Sequence, residues 1–213
     1  MGLSFAPCAL FVLDQNGQKF ELLLEGLESS AAGSWLDGQL VGLGLKAGSD
    51  VELPYEMPAD VAAITAFSIG PNENQLLALA GWFENAHQNL TQLAKANAHL
   101  KPGPSPVRCW PHHFDIATYV MLEVGDAETA KGIGAGMSPG DEGYAEPYFY
   151  INPWPYLEAT NLPEPAPFGH WHTEGYVGLV ATGSSLLSAK NPTASTKTFL
   201  DDGFTIALKA HRF

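Results

Sequence analysis

Positive charge, cysteine and long apolar runs are all scarce in this chain, and each scarcity removes a class of function. Ten Lys and Arg stand against 23 Asp and Glu, for a formal net charge of −13. Binding to nucleic acid needs a basic stripe that displaces counterions from phosphates, and the few cations here form none. Anionic membrane surfaces are disfavoured for the same reason. The two cysteines, Cys8 and Cys109, are remote from each other and form no Cys-x-x-Cys pair, which suits free thiols in a reducing compartment. No uninterrupted apolar run approaches the ~18 residues of a membrane span, and the apolar opening from Met1 to Leu13 has no basic n-region. The expectation is a cytoplasmic protein without nucleic-acid or membrane partners.

What is abundant is core-forming material. Hydrophobic residues make up 46% of the chain and charged residues 15%, a balance that excludes general disorder. The 213 residues fit one domain, 1–213, divisible into two lobes, 1–103 and 104–213. Apolar runs at Ala9–Leu13 and Phe20–Leu24 flank Asp14-Gln15-Asn16-Gly17, and an Asn-Gly pair accepts the positive dihedrals of a hairpin turn. From Leu27 to Ile69 the chain is rich in Gly, Ala and Ser, with Pro54 and Pro58 as punctuation, a pattern that predicts short strands and turns. A helix is predicted from Glu73 to Leu100: Asn72 suits its cap, and Leu76, Leu79, Phe83, Ala86, Leu90 and Leu93 make a helical stripe. Pro102, Gly103, Pro104 and Pro106 stop it.

Beyond that stop, strand-like segments at Val107–Leu122, Tyr148–Ile151 and His170–Thr182 precede a closing helix over about Thr193–Arg212. No repeat or low-complexity tract is present. The fold class expected is α+β, a mainly antiparallel sheet with a long central helix and a C-terminal helix packed on it.

Two histidine-bearing stretches carry the candidate chemistry. In an extended chain, alternate side chains share a face, so Cys109, His113 and Asp115 fall together. Trp110, His112, Phe114, Ile116, Val120 and Leu122 take the opposite, apolar side, where His112 reads as structural and Pro111 is where the phase could break. The same period brings His170, His172 and Glu174 onto one face. Imidazole nitrogen and carboxylate oxygen suit Zn or Fe, so the candidate metal set is His113, Asp115, His170, His172 and Glu174, complete if the two strands are neighbours. Such an ion would activate water, with Glu174 or Asp141 as the catalytic base. The competing reading has the same histidines capping strand ends and stacking with tryptophans.

Gly134-Ala135-Gly136-Met137-Ser138-Pro139-Gly140-Asp141-Glu142-Gly143 is glycine-rich, but it lacks the Lys of a phosphate loop, and Ser138 lacks a nucleophile elbow. Its glycines are expected to serve tight turns. Cys109 is expected to be a small buried hydrophobe. Downstream, Tyr148, Tyr150 and Asn152 share one face of a short strand. Trp110, Tyr148 and Tyr150 are the candidate substrate-contacting rings. The segment 148–154 could equally form a second core or a homodimer contact.

Ser105-Pro106-Val107 through Trp110 and then Phe114-Asp115 resemble the central block of a bacterial domain family of unknown function. Gly136-Met137-Ser138-Pro139-Gly140-Asp141, Tyr148-Phe149-Tyr150 and Pro153-Trp154-Pro155 resemble its second block, ahead of a last strand and closing helix in the same order. The resemblance covers roughly residues 105–213. It implies a shared fold and conveys no activity. His112, His113, His170 and His172 are not part of the pattern, so a metal site would belong to a subgroup. The leading expectation is a small-molecule-binding protein, with a divalent-metal hydrolase or oxygenase as its enzymatic form; the alternative is a non-catalytic binding or assembly protein using the aromatic segment 148–154.

Overall fold

The computed structural model describes residues 1–48, 65–110, 113–126 and 128–211. The chain is α+β and divides into two compact units, Met1–Gly81 and Trp82–Phe213. In the first, strands β1 (Gly2–Ser4), β2 (Ala9–Leu13) and β3 (Lys19–Leu23) form an antiparallel sheet in sequence order. The β2–β3 hairpin is the one expected from its turn. Asp14 Oδ1 accepts from the Asn16 and Gln18 N–H groups, each at 2.8 Å, while Gly17 takes a φ of +80°. Helix α1 (Ser29–Gly42) follows and packs on β2 and β3. Short strands and turns were expected here; Pro54 and Pro58 lie outside the described residues.

Helix α2 (Glu73–Ala96) is the predicted long helix, four residues shorter at its C-terminus than the pattern suggested. The division between the units falls inside this helix, and the half beyond Gly81 buries Ala86, Leu90 and Leu93. The second unit then builds a seven-stranded antiparallel sheet from β4 (Gly103–Pro104), β5 (Arg108–Trp110), β6 (Asp115–Met121), β7 (Gly132–Ser138), β8 (Tyr148–Trp154), β9 (His170–His172) and β10 (Gly178–Thr182). Strand order is β4-β6-β7-β8-β10-β9, with β5 paired to β6. A short helix α3 (Gly183–Leu187) leads to α4 (Pro192–Ala210), capped by the Asn191 side chain, which accepts from the Ala194 N–H at 3.1 Å.

The two-residue period sorts this sheet into unlike faces. Ile116, Val120, Ile133, Ala135, Met137, Phe149, Ile151, Leu179 and Ala181 point one way, into a core closed by Leu90 and Leu93 of α2 and Phe199, Leu200 and Phe204 of α4. The residues between them, Asp115, Tyr119, Tyr148, Tyr150, Asn152 and Trp154, point the other way. Strand β7 makes this possible, because every residue it presents to that second face before Ser138 is glycine. A Cβ on Gly132 would lie 2.1 Å from the Tyr119 hydroxyl, and one on Gly136 would lie 2.4 Å from the Tyr150 ring. Rings from β6 and β8 therefore lie flat across β7. The expectation that the glycines of 134–143 serve turns holds for Gly140, at φ +125°, and is corrected for Gly134 and Gly136, which lie on the strand.

A second correction concerns Val107–Leu122. It is a hairpin: Cys109 pairs with Ile116 and Trp110 with Asp115, and Phe114 takes a left-handed φ of 54° at the reversal. Directly paired residues share a face, so Trp110 joins Asp115 rather than the core and is 47% exposed. Phe114 is exposed as well, and so is Cys109, contrary to the buried thiol expected. Pro111 and His112 lie outside the described residues. Among the described residues no helix is long and apolar enough to cross a membrane.

Candidate functional site

The second face of the seven-stranded sheet carries two adjoining cavities. The larger, about 400 Å³, has Trp110, Tyr119, Gly134 and Trp154 in its lining; the smaller, about 290 Å³, has Ser138, Asp141, Tyr148 and Tyr176. Both are lined by His113, Asp115, Tyr150, Asn152 and Tyr156, so they adjoin across these shared residues and are together called the cleft. Gly134 is its floor, half-buried between the Tyr119 and Tyr150 rings.

Carboxylates and phenols are paired along the cleft. The Tyr150 hydroxyl donates to Asp115 Oδ2, and the Tyr148 hydroxyl donates to Asp141 Oδ2 at 2.6 Å. Asp141 Oδ1 accepts from the backbone N–H groups of Gly143 at 2.8 Å and Tyr144 at 3.0 Å, which shapes the loop between β7 and β8. Burial pushes the Asp141 carboxyl up, but the bonds from Tyr148, Tyr144 and Gly143 and the charge of His113 outweigh it and hold it below its ordinary value. Desolvation, reinforced by the adjacent carboxylates, raises Tyr148 and Tyr150 far above the ordinary phenol range. Desolvation also pushes Tyr176 up to about 12. At neutral pH the cleft thus holds neutral phenols beside an ionised Asp141. Asn152 Oδ1 is buried without a hydrogen-bond partner among the described residues, against Gly178, where a Cβ would come within 2.1 Å of it.

A different arrangement occupies the β9 edge. The Tyr144 hydroxyl lies 3.0 Å from His170 Nε2 and 3.0 Å from His172 Nδ1. His172 Nε2 is 2.7 Å from the Glu174 carbonyl oxygen, which can only accept, so this nitrogen carries the proton. With that proton on Nε2, Nδ1 is the nitrogen that can accept from the Tyr144 hydroxyl, and Tyr144 can accept from His170 Nε2–H. The hydrogen bonds run in one direction, from His170 through Tyr144 and His172 to the main chain. Burial, with His172 adding to it, lowers the His170 pKa. The His172 ring stacks on Tyr176 at 4.2 Å between centroids.

The expected metal set is not assembled by this geometry. β9 pairs with β10, and β7, β8 and β10 separate it from β6; at about 4.8 Å per strand the two lie roughly 19 Å apart. His113 and Asp115 line the cleft, His170 and His172 are bridged by a phenol, and Glu174 engages His172 through its backbone carbonyl. Among the described residues no group of three or more His, Cys, Asp or Glu side chains is placed to hold a metal ion. Of the candidate bases, Asp141 borders the smaller cavity and Glu174 lies outside both linings. The candidate contact rings Trp110, Tyr148 and Tyr150 all reach the cleft.

Sequence reasoning passed over Tyr119, Tyr144, Tyr156 and Tyr176. The signal for Tyr119 and its neighbours was the alternation of glycine with Ile, Ala and Met in β7, a strand period written without polar residues. Tyr144, Tyr156 and Tyr176 sit in loops, where no periodicity aims a side chain. No family model, curated protein or solved structure matches the chain, in keeping with its resemblance to a family that carries no assigned activity.

Proposed function

We propose that this protein binds a small organic molecule in the tyrosine-lined cleft on the second face of its seven-stranded sheet. The observation that carries this reading is that two cavities on this face adjoin, sharing His113, Asp115, Tyr150, Asn152 and Tyr156 in their linings. Their volumes suit a ligand of metabolite size, and aromatic walls with a few fixed polar groups are the usual chemistry of such sites. The polar groups are already oriented by one another, as the Tyr150–Asp115 and Tyr148–Asp141 bonds illustrate. The reading includes no metal-dependent hydrolysis or oxygenation, since the histidines that would support either are divided between the cleft and the β9 edge. It is also favoured over assembly through 148–154: β8 is an interior strand, and Tyr148, Phe149, Ile151 and Pro153 are buried within the chain.

Gly134→Val tests the proposal. A Cβ at Gly134 meets nothing nearer than 3.7 Å, and a β-branched residue suits a strand, so the variant is expected to fold with a side chain rising into the cleft from its floor. Fragments that bind the wild type, found by ligand-observed NMR, are expected to lose binding in the variant while its Tm stays near that of the wild type. A variant that is folded and binds the same fragments unchanged would place the ligand site elsewhere.

A further inference from the structure

Resting on the small-molecule reading of this cleft, we infer that its ligand is a compact organic cation with N–H donors, a primary ammonium or a guanidinium group attached to an apolar body. The balance of donors and acceptors in the cleft selects this class. Tyr148 and Tyr150 direct their hydroxyl protons to Asp141 and Asp115. What they present to the cavity is oxygen lone pairs and ring faces. Asp115 lines both parts of the cleft, Asp141 the smaller part, and Asp141 is held in its charged form by the bonds it accepts. Asn152 Oδ1, by contrast, is buried against Gly178 and does not contribute to this balance.

The opposite inventory is short. Among the described residues that line the cleft there is no Lys or Arg, and His113 is the only group able to become cationic. A phosphate or carboxylate ligand would enter facing two carboxylates with no fixed cation to meet it. A neutral polyol would satisfy the acceptors but would gain nothing from their charge. An ammonium or guanidinium group satisfies the acceptors, offsets the carboxylates and sits against tyrosine faces, whose negative π surface attracts cations. The net charge of −13 favours approach of the same class.

Three probes sharing one ring separate the classes: 2-phenylethylammonium, 2-phenylethanol and phenylacetate, titrated at neutral pH into wild-type protein and into Asp115→Asn, with ring chemical shifts of Trp110, Tyr150 and Tyr156 as the readout. The ammonium compound is expected to bind at least about tenfold more tightly than the alcohol, the scale of one charge-assisted hydrogen bond, with phenylacetate weakest. In Asp115→Asn the ammonium is expected to lose most of its advantage over the alcohol, because the amide oxygen still accepts from Tyr150 while one of the two carboxylates is gone. If the alcohol or phenylacetate binds the wild type as tightly as the ammonium, the cation assignment is overturned and the cleft stands as a binding site. If none of the three shifts any cleft resonance at millimolar concentration, both the cation assignment and the small-molecule reading fail. The wild-type comparison decides the matter even if the variant does not fold.

Discussion

The seven-stranded sheet has one face sealed with hydrocarbon and another furnished with phenols, carboxylates and glycine, although the same strands supply both. On the sealed side, alternate residues of β6, β7, β8 and β10 meet α2 and α4, and Phe149, Ile133, Ile151 and Phe199 are fully buried. On the other side the same strands carry Asp115, Tyr119, Tyr148, Tyr150 and Asn152, and glycine where β7 would otherwise project side chains. The sealed face supplies stability through area removed from water. The furnished face gives up some of that stability by grouping polar side chains that hydrogen-bond mainly with each other. The division of labour runs residue by residue along each strand.

Changes confined to one face should therefore have separable effects. The largest is expected on the sealed side, where Phe199→Ala removes a fully buried ring from the core and should cost about 3–5 kcal/mol in denaturant unfolding. The cleft tyrosines, measured by their ring shifts below the transition, should be unchanged. A loss below about 1 kcal/mol would mean that α4 contributes little to the sheet.

On the furnished side, Gly136→Ala should cost about 1–3 kcal/mol as an overpacking change, because its Cβ would lie 2.4 Å from the Tyr150 ring. Displacing that ring also breaks its bond to Asp115, so ligand binding should fall together with stability. A Gly136→Ala variant as stable and as competent as the wild type would show that the ring moves without consequence.

The smallest effect is electrostatic. The folded-state pKa of Asp141 lies below its ordinary value of 3.8, so its contribution to stability is complete above that value and disappears as pH falls through the lower, native one. Asp141→Asn should be slightly less stable than wild type at neutral pH, with the difference shrinking in unfolding curves taken below pH ~4. A difference that is constant down to pH ~2 would assign the effect to the loop's shape instead of its charge.

Much of the sheet's sealed face was legible because hydrophobic period states burial directly. The hairpin at Asn16-Gly17, the stripe of α2, the closing helix and the common face of Tyr148, Tyr150 and Asn152 all follow from local pattern. Helix α1 was hidden because Gly33, Gly38 and Gly42 dilute its propensity and its alanines and serines draw no stripe. Strand β7 was hidden for a related reason, since glycine reads as a turn unless a partner ring is known to need the space. Of the candidate site, the pairing of His170 with His172 could be read, and their distance from His113 could not. Strand order is a long-range property, and placing β7, β8 and β10 between the two stretches depends on crossovers that no spacing encodes.

The bare floor at Gly134 bears on how this cleft changes over generations of sequence. Main chain has no rotamers and no chemical identity to lose, so the surface beneath a ligand stays fixed while its surroundings are rewritten. Residues 119, 150, 152 and 154 sit on strands to either side and can be exchanged one at a time, each exchange altering one wall. Gly132 and Gly136 of β7 have no such freedom, since any side chain there meets a ring already lying over it. On the proposed reading, selectivity is thus written on β6 and β8, and β7 is the unmarked page between them.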